Sequence, residues 1–195
     1  MNNKLQKLAL LGTSADPPTY GHQALLKGLS NIYPKVITWA SENPLKTHFV
    51  SLEKRQQLLA ILVNDLNIPN LEVDNSLSSS WTITTLEKAK KLWPSNELVL
   101  IIGSDLIAQI ASWVRAKDLL QKARLGIVPR VSWPINESDL TKLRQMGAII
   151  DILPLNIPMT ASSEIRKKPQ SCHIPQAILP ILMKENLYGF SHTTK

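Results

Sequence analysis

Leu8-Ala9-Leu10-Leu11-Gly12-Thr13-Ser14-Ala15-Asp16-Pro17-Pro18-Thr19-Tyr20-Gly21-His22 runs from an apolar stretch, through small and polar residues, to a helical pattern at Gln23-Ala24-Leu25-Leu26-Lys27-Gly28-Leu29. The order is strand, tight turn, helix start. A helix amino terminus offers unpaired backbone N–H groups and a partial positive charge, which suits an anion such as phosphate. Thr19 and His22 are three apart, so a helix sets them on one face. A hydroxyl and an imidazole then point at the same ligand. The same residues also fit a capped helix with a partly buried histidine, so the stretch needs support from elsewhere in the chain.

The rest of the chain alternates strand-like and helix-like segments. Val36 to Ala40, Leu71 to Val73, Leu98 to Ile102, Leu125 to Val128 and Ala148 to Leu153 read as strands. Leu52 to Asp65, Ile83 to Leu92, Leu106 to Ile110, Ala116 to Ala123 and Glu137 to Met146 read as helices. Repeated β-then-α order predicts an α/β fold, a mostly parallel sheet with helices on both faces. Ligands of such sheets bind beyond the carboxyl ends of the strands, near the point where strand order reverses. Pro154 to Pro158 reads as a loop, and Pro180 predicts a kink or break in the last helical pattern.

The chain has 195 residues, enough for one domain with a real core. We expect residues 1–195 to form a single domain with a helical carboxyl-terminal part at about 162–190. No stretch approaches the roughly 20 apolar residues of a membrane span, and with no long apolar run after Met1-Asn2-Asn3-Lys4 no secretory leader is expected. The lone Cys172 excludes an internal disulfide and fits a reducing compartment, so a cytoplasmic location is expected. The net charge of +7 admits nucleic acid, anionic lipid or small anionic substrates. No basic-aromatic surface pattern appears. A phosphate-handling enzyme accounts for the charge with no nucleic-acid or membrane partner, and a homo-oligomer stays open.

A second constellation is Thr160-Ala161-Ser162-Ser163-Glu164-Ile165-Arg166. Hydroxyl residues open a helix, and Arg166 lies four residues after Ser162 and three after Ser163, so all three can converge on one anion. A third is Ile101-Ile102-Gly103-Ser104-Asp105, with Trp113 eight residues on. Gly103 leaves a buried strand and lets a ligand approach the backbone. Asp105 suits a ribose diol or a helix N-cap. Trp113 suits ring stacking or core packing. Lys46, in Asn43-Pro44-Leu45-Lys46, can meet a phosphate or simply be solvated. Arg55, in Glu53-Lys54-Arg55, is expected on the helix surface.

Thr19-x-Gly21-His22 resembles the (His/Thr)-x-Gly-His signature of the nucleotidyltransferase superfamily, and Ser162-Ser163-x-Ile165-Arg166 resembles its Ser-Thr-x-Ile-Arg motif. The full order is similar to that of nicotinate-nucleotide adenylyltransferases. Asn43-Pro44-x-Lys46, an Arg on the next helix, Ser80-Trp81-Thr82…Thr85-Leu86 and Ile102-Gly103-x-Asp105…Trp113 follow one another as they do there, and Glu185-Asn186-Leu187-Tyr188 resembles that family's ending. The resemblance implies a Rossmann-like fold and adenylyl transfer from ATP, with Mg²⁺, to nicotinate mononucleotide. It implies catalytic roles for His22, Thr19 and Arg166. ATP would meet Gly12, Thr13, Ser14, Thr19, His22, Gly103, Asp105, Ser162, Ser163 and Arg166. The acceptor would meet Lys46, Thr82, Thr85 and Trp113. No carboxylate cluster suggests a protein metal cage. Other acceptors, nicotinamide mononucleotide or pantetheine 4′-phosphate, and a silent nucleotide-binding protein are the alternatives. The chain departs from the pattern in five ways: Thr19 stands at the His usual in this branch, Thr13 at the second Gly of the first turn, Ala15 at a Phe and Ala161 at a Ser, and the stretch after Arg166 is shorter.

Overall fold

A computed structural model describes residues 5–44, 46–158 and 162–191. Strand β1 (Lys7–Thr13) leads to helix α1 (Tyr20–Ile32), β2 (Lys35–Ala40), α2 (Leu52–Leu66) and β3 (Leu71–Val73). Then come α3 (Thr82–Leu92), β4 (Glu97–Gly103), α4 (Ile107–Ile110), α5 (Ala116–Lys122), β5 (Arg124–Val128), α6 (Glu137–Gln145) and β6 (Ile150–Ile152). Two short helices close the described chain, α7 (Ser162–Lys167) and α8 (Leu179–Lys184).

The six strands form one sheet in the order β3-β2-β1-β4-β5-β6, and every pairing is parallel. Strand order reverses between β1 and β4, where Leu8 pairs with Leu98 and Leu10 with Leu100. That junction is where α/β sheets of this topology take their ligands.

Alternate residues of each strand feed opposite faces. Leu8, Leu10, Ile37, Leu98, Leu100, Leu125 and Ile127 join one buried cluster with α3, α4, α5 and α6. Ala9, Leu11, Val36, Val99 and Ile101 join a second cluster with α1 and α2. Burial on both faces explains the near-continuous apolar run of β4. The helices therefore lie on both sides, as the β-then-α order predicts.

A third cluster is built by the carboxyl-terminal segment. Ile165, Ile174, Ile178, Leu182, Tyr188 and Phe190 pack around Leu58 of α2. Pro180 opens α8 instead of breaking it, because proline fits the first helical turn, where no N–H is required. The last strand is shorter than the run Ala148 to Leu153 predicts. Only Ile150–Ile152 pairs with β5 in a ladder, although the Leu153 N–H still donates to the Ile127 carbonyl.

Candidate active site

All three constellations emerge from the carboxyl ends of the strands. The first turn follows β1, Asn43 and Lys46 come after β2, Gly103 ends β4, and α7 follows β6. Thr82 opens α3, half-buried.

Thr19 is the N-cap of α1 and His22 is its third helical residue. The two form a capping box with histidine in the role usually taken by glutamate. The backbone N–H of Thr19 donates to His22 Nδ1 at 3.1 Å, and the Thr19 hydroxyl lies 3.0 Å from the same nitrogen. A backbone N–H can only donate, so Nδ1 is the acceptor and the proton of the neutral ring sits on Nε2. Nε2 lies 2.9 Å from Thr13 Oγ1 and donates to it. Burial, and then the nearby Arg130 charge, pull the His22 pKa from 6.5 down to about 4. The ring is a neutral, oriented N–H donor across the neutral pH range.

Thr19 itself is fully buried. That revises the expectation of direct contact with a triphosphate: its hydroxyl and N–H act on His22, fixing the tautomer and the ring's direction.

The two motifs meet at the first turn. Ser162 Oγ donates to the Pro17 carbonyl at 2.7 Å, and Arg166 Nη1 donates to the Asp16 carbonyl at 2.7 Å. The other N–H groups of Arg166 have no hydrogen-bond partner among the described residues. Ser163 is exposed. Thr160 and Ala161 lie outside the described residues.

Asp16 is the hub beneath. It is 1% exposed and accepts from the Phe49 N–H at 2.8 Å and the Tyr188 hydroxyl at 2.7 Å. His48 Nδ1 lies at 3.6 Å and Arg166 Nη1 at 3.8 Å. Burial, helped by the Asp16 charge, pushes the Tyr188 hydroxyl well above its ordinary pKa, so it stays a donor. Burial also lowers His48, with Arg55 and Lys46 adding to the effect.

Arg55 is a correction. Expected on the surface, it is 2% exposed, and its Nη1 donates to the Ser14 carbonyl at 2.9 Å and the Ser41 carbonyl at 2.8 Å. It ties the turn after β1 to the chain after β2. Leu58, Leu59 and Leu62 follow at helical spacing on the same buried face, the one signal that could have placed it.

At β4, a Cβ on Gly103 would stand 2.2 Å from Asp105 Oδ1 and 2.6 Å from Arg130 Nε. The approach that the missing side chain opens is thus occupied by an ion pair, Arg130 Nε to Asp105 Oδ1 at 3.1 Å. Asp105 does not cap the short helix Ser104–Leu106; Gly103 stands at that position. Arg130, which sequence patterns did not single out, follows β5 and adds positive charge near His22. Gly12 makes room for the Trp39 indole, 2.8 Å from where its Cβ would be.

The acceptor candidates divide. Trp113 is partly buried and packs against the larger core cluster. Lys46 is exposed. Thr85 is a second correction. It is 2% exposed and its hydroxyl donates its proton to the Leu77 carbonyl at 2.9 Å, so it braces the segment after β3.

A doubly wound parallel sheet here carries a neutral imidazole donor and a guanidinium at the turn after β1, and the proteins it resembles are nucleotidyltransferases. Residues 10–168 match the family model described as Cytidylyltransferase-like. A Synechocystis sp. protein named "Probable nicotinate-nucleotide adenylyltransferase" is 34% identical, over 93% of this chain and 98% of its own length. A Thermus thermophilus protein of the same name is 26% identical over 93% of this chain and 99% of its own. The solved Plasmodium falciparum nicotinic acid mononucleotide adenylyltransferase complexed with NaAD superposes with a TM-score of 0.80 at 23% identity, over 95% of this chain and 98% of that one. The chain belongs to the nicotinate-nucleotide adenylyltransferase family.

Proposed function

We propose that this chain transfers the adenylyl group of ATP to nicotinate mononucleotide, giving nicotinate adenine dinucleotide and pyrophosphate, a step in the making of NAD. The observation that carries this is the locked His22 Nε2–H, an uncharged donor over the sheet's switch point. The family relatives bear the matching name. Solved relatives from Plasmodium falciparum are described as complexes with NaAD and with APC.

The acceptor's 5′-phosphate is already an anion. Its oxygen attacks the α-phosphorus, a new P–O bond forms, the bond to the β-phosphate oxygen breaks, and pyrophosphate leaves. No side-chain base is required. The protein contributes position and charge stabilisation. His22 supports the α-phosphate through its single Nε2–H. Ser162, Ser163 and Arg166 hold the outer phosphates, with Ser14 beside them on the first turn. The Asp105–Arg130 pair opens to admit adenosine beside Gly103, Asp105 turning to the ribose diol. Thr82 and Trp113 flank the pyridine ring, and Lys46 lies toward the acceptor phosphate.

Nucleotidyltransferases of this kind generally need a divalent metal with ATP. Among the described residues no three His, Cys, Asp or Glu side chains gather as a metal site. Mg²⁺ is our choice because it keeps most of its waters and needs few protein ligands; with ATP it would neutralise phosphate charge. No described helix is long and apolar enough to cross a membrane. We place the enzyme in the cytoplasm, where ATP and a free thiol at Cys172 both belong.

A pyrophosphate-release assay with ATP and each of nicotinate mononucleotide, nicotinamide mononucleotide and pantetheine 4′-phosphate tests the assignment. The nicotinate compound should give the highest kcat/KM. Release with another acceptor at a higher kcat/KM, or ATP binding without release from any, would overturn it.

A further inference from the structure

Thr13 stands at the second Gly of the first-turn pattern this chain resembles, and its hydroxyl sits in the middle of the His22 hydrogen bonds. The chain of donors has a fixed direction. Thr19 N–H donates to His22 Nδ1, so Nε2 carries the ring proton, and Nε2–H donates to Thr13 Oγ1 at 2.9 Å. The Ala15 N–H also donates to Thr13 Oγ1, at 3.3 Å. A hydroxyl has two lone pairs and one proton. Both lone pairs are taken. The proton is what remains, and among the described residues it has no acceptor.

Thr13 is also placed to use that proton. It is the last residue of β1, half-buried, and β1 borders the switch point. The first residues of the turn follow directly.

We propose that the Thr13 hydroxyl is a phosphate donor in its own right: it gives its proton to a non-bridging oxygen of the nucleotide's α-phosphate while His22 holds its oxygen in line. A hydroxyl that accepts from an N–H is a better donor in turn, since linked hydrogen bonds polarise one another. Its phosphate bond is charge-assisted. The neutral ring has one N–H and gives it to Thr13, so the hydroxyl carries the histidine's support on to the phosphate, and the Cβ that narrows backbone access brings that donor with it. No atom is transferred; Thr13 keeps its proton throughout.

The bond to Ala15 N–H alone would make Thr13 a turn-former. That role uses only the oxygen as acceptor. Thr13→Val keeps the branched shape and removes the hydroxyl, and Thr13→Ser keeps the hydroxyl. In the donor role Thr13→Val lowers kcat/KM for ATP by about 10- to 100-fold, the scale of one charge-assisted hydrogen bond, and Thr13→Ser stays within about threefold of the parent chain. Thr13 and His22 act as one unit, so Thr13→Val combined with His22→Ala should be no worse than about twofold below His22→Ala alone. A Thr13→Val chain within about twofold of the parent, a Thr13→Ser chain as poor as Thr13→Val, or fully additive losses in the double variant would each overturn the proposal.

The donor role rests on adenylyl transfer from ATP. A parent chain that releases no pyrophosphate with any acceptor defeats that assignment separately. Thr13 is then judged by calorimetric affinity for α,β-methylene-ATP. About tenfold weaker binding in Thr13→Val, regained in Thr13→Ser, upholds the donor, and equal affinities in all three chains sink it.

Discussion

Arg55 shows how much one side chain can bind together in this fold. Its guanidinium is enclosed by protein, and a buried cation is tolerated only when it is paired and hydrogen-bonded. Two carbonyls, of Ser14 and Ser41, take its Nη1 donors, and the Asp16 charge offsets part of the desolvation. Both carbonyls sit in strand-end loops that flank the site, so the contact fixes the loops' separation. Arg55→Leu should cost about 2–4 kcal/mol, because two carbonyls lose their donor and Asp16 loses a neighbouring charge. Urea unfolding checks this. A change below about 0.5 kcal/mol would mean the carbonyls find water instead. The residue was misjudged from sequence because Glu53-Lys54-Arg55 looks like a solvated charge run. Charge says where a side chain prefers to be, whereas the helical period says where its Cβ points, and here the period decides.

At the scale of elements, the helices and strands were largely legible because each has one dominant period and a buried destination. β4 reads as a doubly buried strand and is one. α2 reads as an amphipathic helix with a leucine stripe, and Leu58, Leu59 and Leu62 are fully buried. Illegible were the contacts between elements far apart in sequence. Nothing in Tyr188 announces that its hydroxyl will reach Asp16, and nothing in Thr85 that its hydroxyl will serve Leu77. Such bonds depend on tertiary placement, not on local pattern. The first motif was legible as a helix start with a histidine, yet its capping box, which makes Thr19 a servant of His22, appears only with the backbone in place. The second motif depends on docking too. α7 is held against the first turn by Ser162 to Pro17 and Arg166 to Asp16. Arg166→Ala removes the guanidinium we propose for the outer phosphates and one of these two ties. The KM for ATP should rise about tenfold or more, with a smaller change in the KM for the acceptor. Steady-state kinetics with each substrate varied in turn gives the comparison, and equal rises for both substrates would count against a triphosphate clamp.

Across the whole molecule, the two ends of the sheet carry different electrostatics. At the strands' amino ends, Arg124 pairs with Glu97 and Asp151, and Lys7 pairs with Asp151, a ladder across β1, β4, β5 and β6. These groups are partly exposed and worth little individually. At the carboxyl ends, burial and neighbouring cations bias the groups against taking up a proton. His22 is lowered from 6.5 to about 4, mainly by burial, and His48 is lowered for the same leading reason. The sign follows from linkage. Between pH 6.5 and about 4 the unfolded chain protonates His22 while the folded chain does not. The unfolded state therefore binds more protons, and stability falls as pH falls through that window; above it His22 contributes no pH dependence. His48 acts in the same direction. Urea unfolding at about pH 5 and about pH 7.5 should show the parent chain weaker at the lower value. His22→Asn, which cannot titrate, should lose less between the same two values. In an NMR titration of the ligand-free parent, the His22 ring signals should hold their neutral-form positions through pH 6.5, the ordinary histidine value, because the ring stays neutral and keeps its Nε2–H. A His22 signal that titrates near 6.5 would mean the ring is not the enclosed donor its hydrogen bonds require.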